Sequence, residues 1–194
     1  MIMKKDNKPV TCIILCAGRG TRMQSKDTHK VCFPIGGKAA ILHSMERYKA
    51  AGLSKFTVVV GTMAEQVMSV ISSRYDGINY AYQNEALGTG NAARVGFESI
   101  EAYDPQGAIL ITMGDKIIGP QVIENLITEF YENDLDLAFV VGPKEFNPSG
   151  GHVVIDEGKV CGIVESLDIK KAKLYNRILN QLQTGAYRGI DPRE

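Results

Sequence analysis

Neither charge is in excess in this 194-residue chain: lysine plus arginine and aspartate plus glutamate each number 22, so no global field draws it to nucleic acid or to a membrane surface. Any anion it binds must be held locally. No run of about eighteen apolar residues is present to span a bilayer, and the polar start, Met1 to Pro9, is not followed by the apolar segment of a secretory signal. A soluble, cytoplasmic protein is therefore expected. The four cysteines, Cys12, Cys16, Cys32 and Cys161, show no Cys-x-x-Cys spacing. Cys12 and Cys16 would stand roughly 13 Å apart on one strand, beyond disulfide reach, so all four are expected to be small hydrophobes. His43 and Glu46, three apart on an expected helix, have no third ligand nearby and read as a solvated face. Internal repeats, low-complexity tracts and a linker of distinctive composition are missing too. One ordinary domain with a sizeable core is the expectation.

What the chain does have is an organising stretch, Val10 to Pro34. Its first part, Val10 to Ala17, is short, apolar and β-branched with no helical stripe, which reads as a buried strand. It stops at Ala17-Gly18, where small residues let backbone approach a bound group. The loop beyond offers Arg19, Gly20, Thr21, Arg22 and Lys26 without an acidic residue before Asp27, a composition suited to phosphate. Met23 stands where a dinucleotide fingerprint has its third glycine, and no Gly-Lys-Ser/Thr follows. Alone, Gly-x-Gly after a strand reads equally well as a tight strand exit with surface arginines.

Downstream, strand and helix signals alternate. Ile35 to Lys38 is a turn, and Ala39 to Ala51 carries Ile41, Leu42, Met45 and Tyr48 at helical spacing. Strands are expected at Lys55 to Val60, Ile78 to Tyr82, Ala108 to Met113 and Leu137 to Val141, with helices at Ala64 to Arg74, Gly90 to Tyr103 and Val122 to Tyr131, the last led by Pro120. This pattern predicts an α/β fold, a Rossmann-like, mostly parallel sheet with helices on both faces. Ligands in such sheets bind beyond the carboxyl ends of the strands. Gly18 to Arg22, Gln83 to Thr89 and Gly114 to Lys116 should therefore share one rim. From Pro143 the character changes to a Gly/Pro loop, two short strands flanking Asp156 to Lys159, and a basic helix from Ile169 to Gln183, a small subdomain closing over that rim.

Leu15 to Met23 followed by Lys30 and Pro34 resembles the signature loop of the sugar-1-phosphate nucleotidyltransferases, or nucleoside-diphosphate-sugar pyrophosphorylases. The resemblance returns in the family's order at Gln83 to Asn91, Gly114-Asp115 and Gly162 to Glu165, and is closest to the uridylyltransferase domain acting on N-acetylglucosamine 1-phosphate. It implies the nucleotide-diphospho-sugar transferase fold, with 10–142 binding nucleotide and 143–194 forming a β-rich part that binds sugar, all one nucleotidyltransferase domain.

The resemblance assigns Arg22 and Lys30 to catalysis. It gives nucleotide contacts to Leu15, Ala17, Gly18, Gly20, Thr21, Gln83, Gly88 and Thr89, sugar contacts to Gly151, Glu165 and Thr184, and a Mg²⁺ ligand to Asp115. The chemistry is consistent: nucleotidyl transfer needs positioning and charge neutralisation more than proton transfer. Seven residues separate Met23 from Lys30 where the family has six, which leaves Lys26 as an alternative. Thr89 can instead cap the helix expected to start near Gly90. Gln183 replaces the family's asparagine before Thr184-Gly185, and Lys116 and Ile117 replace the run to proline after Asp115. The family's second metal ligand comes from a later segment, so the domain is expected to be C-terminally incomplete. No left-handed β-helix repeat is present.

The expected reaction joins a nucleoside triphosphate, UTP by resemblance, to a sugar 1-phosphate, N-acetylglucosamine 1-phosphate by resemblance, with release of pyrophosphate. The alternatives are transfer from CTP, GTP or dTTP to another phosphorylated substrate, or a nucleotide-sugar binding module without catalysis. An oligomer is not readable from the sequence.

Overall fold

The computed structural model describes residues 9–18, 27–101, 107–143, 145, 150–157 and 159–183. The chain divides into two compact units, Met1–Val140 and Val141–Glu194.

In chain order, the first unit holds β1 (Val10–Leu15), a 3-10 turn at Lys30–Cys32, and a miniature hairpin of β2 (Pro34–Ile35) and β3 (Lys38–Ala39). Then come α1 (Ala40–Ala50), β4 (Lys55–Val60), α2 (Ala64–Ser72), β5 (Asn79–Tyr82), α3 (Thr89–Glu98), β6 (Ala108–Met113) and α4 (Pro120–Glu132). Four strands form one sheet in the order β5-β4-β1-β6, parallel throughout. The continuous apolar character of β1 follows from its place in that sheet. Cys12, Ile14 and Cys16 face α1, α2 and α4 with Ile41, Met45, Tyr48, Val67, Ile71 and Ile123, whereas Ile13, Leu15 and Ala17 face α3 with Ala92 and Ile100. Both faces are covered, so no polar alternation is selected. A Cβ on Gly96 would sit 2.6 Å from Ile13 Cγ2 and 2.9 Å from Val59 Cγ2, so α3 approaches the sheet at a distance only glycine allows.

Several expectations shift. Leu137 to Val141 forms no strand: the segment has no regular structure, and Leu137, Val140 and Val141 are 75%, 52% and 62% exposed. An apolar run becomes a buried strand only where a sheet edge and a covering layer receive it, and among the described residues neither does. The third helix begins at Thr89 and ends at Glu98; Gly88, with φ +95, occupies the cap position, so Thr89 is a first-turn residue and not the cap. Phe97 lies half out in solvent, and Gly96 takes the inward position expected of it.

In the second unit, β7 (His152–Asp156) and β8 (Lys159–Val164) pair antiparallel, and α5 (Ser166–Gln183) follows. The hairpin matches the sequence reading, and the helix starts three residues earlier than Ile169. Cys161 on β8 is exposed, unlike the buried Cys12 and Cys16, so it is not the small buried hydrophobe expected.

Candidate functional site

Strand ends of the first unit place the site. Gln83 extends the β5 ladder by donating its N–H to Val60 O (2.8 Å), and Gly114 extends β6 by donating to Leu15 O (3.0 Å). A Cβ on Gly114 would meet Cys16 Sγ at 2.5 Å, so the chain turns directly over β1 there. The turn is held from beneath by α1. Ser44 Oγ, fully buried, lies 3.0 Å from Lys116 O and 3.3 Å from Gly114 O. The Tyr48 hydroxyl donates to Lys116 O (3.0 Å) and therefore accepts from Thr112 Oγ1 (2.8 Å); burial pushes its pKa up to about 12, so the proton stays. Asp115, in this turn, is aimed at Lys30, with Lys30 Nζ 3.1 Å from Asp115 Oδ2.

Lys30 is positioned by the residue before it. His29 is 2% exposed, and its Nδ1 accepts the Val31 N–H (3.4 Å), which makes Nε2–H the donor to Gly18 O (3.1 Å). Its main-chain N–H donates to Gln66 Oε1, and Gln66 Nε2 donates to Asp27 O (3.2 Å). Burial holds the His29 pKa below its ordinary value, with Lys30 adding to that and the Gly18 carbonyl opposing it. A neutral imidazole is what the two bonds require.

These elements enclose a cavity of about 160 Å³ lined by Leu15, Ala17, Gly18, Lys30, Gln83, Ala86, Gly88, Thr89, Ala92 and Met113. Six residues assigned to nucleotide contact, Leu15, Ala17, Gly18, Gln83, Gly88 and Thr89, thus come together around Lys30 from β1, β5 and α3. Apolar walls, one buried amide and one cation suit a heterocycle carrying an anionic group. A larger cavity, about 320 Å³, opens at the amino-terminal ends of β1 and β6 among Val10, Leu110, Leu126 and Phe130. Its one charged lining residue is Asp136, and it lacks the cation-and-amide set.

Gly20, Thr21, Arg22, Lys26 and Thr184 lie outside the described residues. Within the second unit, the pairing of His152 with Val164 brings Gly151 beside Glu165; a Cβ on Gly151 would sit 3.7 Å from the Glu165 carboxyl. His43 and Glu46 are structural: His43 Nε2 meets Ile35 O at 2.8 Å, and Glu46 pairs with Lys38. No cluster of three or more His, Cys, Asp or Glu able to hold a metal exists among the described residues, so Asp115 is a single carboxylate donor. That fits Mg²⁺, which takes one or two carboxylates and fills its shell with phosphate oxygens and water. No helix among the described residues is long and apolar enough to cross a membrane.

His29, Ser44 and Tyr48 escaped the sequence reading. Tyr48 was counted as part of an apolar stripe, although a buried tyrosine hydroxyl needs a partner. Ser44, between two apolar residues of α1, gave no signal. His29 adjoins a lysine of interest, and that adjacency was the available clue.

The model of the MobA-like NTP transferase domain matches residues 12–185. The bifunctional protein GlmU of Exiguobacterium sp. AT1b is 32% identical over 177 residues, covering 90% of this chain and 37% of that protein. GlmU of Geotalea daltonii is 34% identical over 181 residues, covering 92% and 38%. The chain thus spans less than two fifths of the length of these relatives. Among solved structures, a Bacillus anthracis protein described as a glucose-1-phosphate thymidylyltransferase superposes with TM-score 0.63 at 21% identity, covering 80% of this chain and 64% of that one. HddC of Yersinia pseudotuberculosis, bound to GMP-PN, gives TM-score 0.58 at 21% identity, covering 80% and 68%. These likenesses show the fold.

Proposed function

The chain belongs to the MobA-like NTP transferase family, among sugar-1-phosphate nucleotidyltransferases close to GlmU, and on that footing we propose that it transfers a nucleotidyl group from a nucleoside triphosphate to a sugar 1-phosphate. The observation that carries the reading is the convergence of Lys30, Asp115 and six nucleotide-contact residues on one strand-end rim.

In the proposed reaction a phosphate oxygen of the sugar 1-phosphate attacks the α-phosphorus of the triphosphate in line. A new P–O bond forms, the α–β bridging bond breaks, and pyrophosphate leaves. The attacking phosphate is already ionised, so the need is charge stabilisation. Lys30 supplies a cation at the α-phosphate, Gly18 gives close backbone approach, and Arg22, with the Gly20–Thr21 backbone, holds the remaining phosphates. Gln83, Gly88 and Thr89 bind the base between Leu15 and Ala92. Asp115 would hold a Mg²⁺ that neutralises phosphate charge. Gly151, Glu165 and Thr184 would bind the sugar, so that 10–142 serves the nucleotide and 143–194 the sugar. UTP and N-acetylglucosamine 1-phosphate are the proposed pair, on the identity to GlmU proteins over nine tenths of this chain.

Magnesium-dependent pyrophosphate release from UTP plus N-acetylglucosamine 1-phosphate, with CTP, GTP and dTTP in parallel, tests this. Lys30→Ala and Asp115→Ala should each lower kcat/KM on the order of 10²- to 10³-fold with an unchanged unfolding midpoint. Normal turnover in both variants would overturn the assignment. UTP binding without pyrophosphate release would point instead to a binding module.

A further inference from the structure

We propose that Asn91 is a specificity-determining residue, acting through Gln83: it fixes which end of the Gln83 amide the base pocket presents. The proposal rests on the nucleotide-transfer reading of the same cavity, in which Gln83 faces the base.

Gln83 is 6% exposed, and its Nε2 lies 3.3 Å from Gly88 O and 2.7 Å from Asn91 Oδ1. The logic of donors and acceptors allows one arrangement. A main-chain carbonyl can only accept, so the amino end of the Gln83 amide must be the end facing Gly88. An amino group can only donate, so Asn91 must turn its oxygen, and not its own amino group, toward Gln83. Gly88 O is itself fixed, since it also receives the Ala92 N–H at 3.1 Å as α3 begins. Both N–H groups of Gln83 are thereby used, and its oxygen is what Gln83 contributes to the cavity wall. Asn91 stands in the first turn of α3, behind Gln83 and outside the cavity lining.

An acceptor in the base pocket is a choice among bases. The ring N3 of uracil and thymine and the N1 of guanine carry hydrogens and donate; the N3 of cytosine and the N1 of adenine are bare and accept. With the amide held as it is, UTP, dTTP and GTP can satisfy Gln83 Oε1, whereas CTP and ATP would set acceptor against acceptor in a buried place. Reversing the amide would reverse the preference. Asn91 removes that freedom by giving the amino group a second acceptor on the far side from the ligand.

The test is equilibrium binding of UTP and CTP, by calorimetry, to the wild-type chain and to Asn91→Asp, Asn91→Ala and Asn91→Leu. The wild type should prefer UTP by on the order of 10- to 100-fold. Asn91→Asp keeps an acceptor for the Gln83 amino group and should hold that ratio. Asn91→Ala and Asn91→Leu, one leaving space and one filling it, should each narrow the ratio about tenfold, because the amide is then free to turn. A merely structural role for Asn91 would lower both affinities together; an unchanged ratio in the folded Ala or Leu variant overturns the proposal, as does a wild type that prefers CTP. A wild type that binds neither nucleotide overturns the nucleotide-transfer reading as well, which sets that failure apart.

Discussion

β1 and β8 are both six-residue strands rich in the same residue types, Val-Thr-Cys-Ile-Ile-Leu and Lys-Val-Cys-Gly-Ile-Val. Their surroundings differ completely. In β1, Cys12, Ile13 and Ile14 have no exposed surface; in β8, Val160 and Ile163 are 52% and 62% exposed. Side-chain type selects the extended backbone, and neighbours decide whether it is buried. β1 has strands on both edges and helices on both faces, while within its own unit β8 has one partner strand and a helix whose side chains are mostly exposed. The first unit can therefore hold a rigid strand-end site. The second offers Gly151 and Glu165 on a hairpin with little core of its own.

That contrast breaks most sharply under substitutions on the two sides. Gly96→Leu forces side-chain atoms into the space held by Ile13 and Val59 and should destabilise the chain by about 1–3 kcal/mol, read as a lower denaturant midpoint. Ile155→Ala, at a 64% exposed site on β7, should change it by about 0.5 kcal/mol or less. Equal effects would mean that the hairpin is as tightly packed as the sheet.

Within the first unit, Tyr48→Phe sharpens the link between core and site. It deletes a hydroxyl that satisfies Lys116 O and Thr112 Oγ1, and should cost about 1–3 kcal/mol. Because the lost bond anchors the Asp115 turn, turnover should fall in protein that is still fully folded; activity that merely tracks the folded fraction would make the bond structural alone.

The smallest effect is on pH dependence. His29 in the folded chain binds its proton less readily than the ordinary value of 6.5, so the unfolded chain takes up the proton first as pH falls. The stability it contributes should be complete above about pH 6.5 and decline below it, until the folded form is protonated too. His29→Gln, which keeps a donor, should flatten that part of the profile between pH 7.5 and 5.5. Lys30 disfavours the added charge and Asp115 favours it, so the profile reads their balance.

Much of this was legible in the sequence because it depends on local pattern. β1, β4 and β6 have the expected bounds apart from the last residues of β1, and the rim assembled from Gly18, Gln83 and Gly114 follows from strand ends alone. What was not legible depends on non-local packing. Leu137 to Val141 looks like a strand by composition and lacks the receiving edge. Phe97 looked inward until Gly96 brought α3 against the sheet. His29, Ser44 and Tyr48 act through carbonyls far away in the chain, up to 72 positions apart for Ser44 and Lys116, and no spacing rule encodes such pairs.

One consequence of the His29 and Gln66 bonds concerns entropy. Gly18 and Asp27 bracket the arginine-bearing stretch, and the imidazole ties the first to the Lys30 turn while Gln66 ties the second to α2. Bringing two chain ends together has an entropic cost that grows only slowly with the length between them. Here that closure is completed as the protein folds, on the strength of two buried side chains, so an arriving triphosphate need not draw on its own binding energy to gather the two ends of the loop.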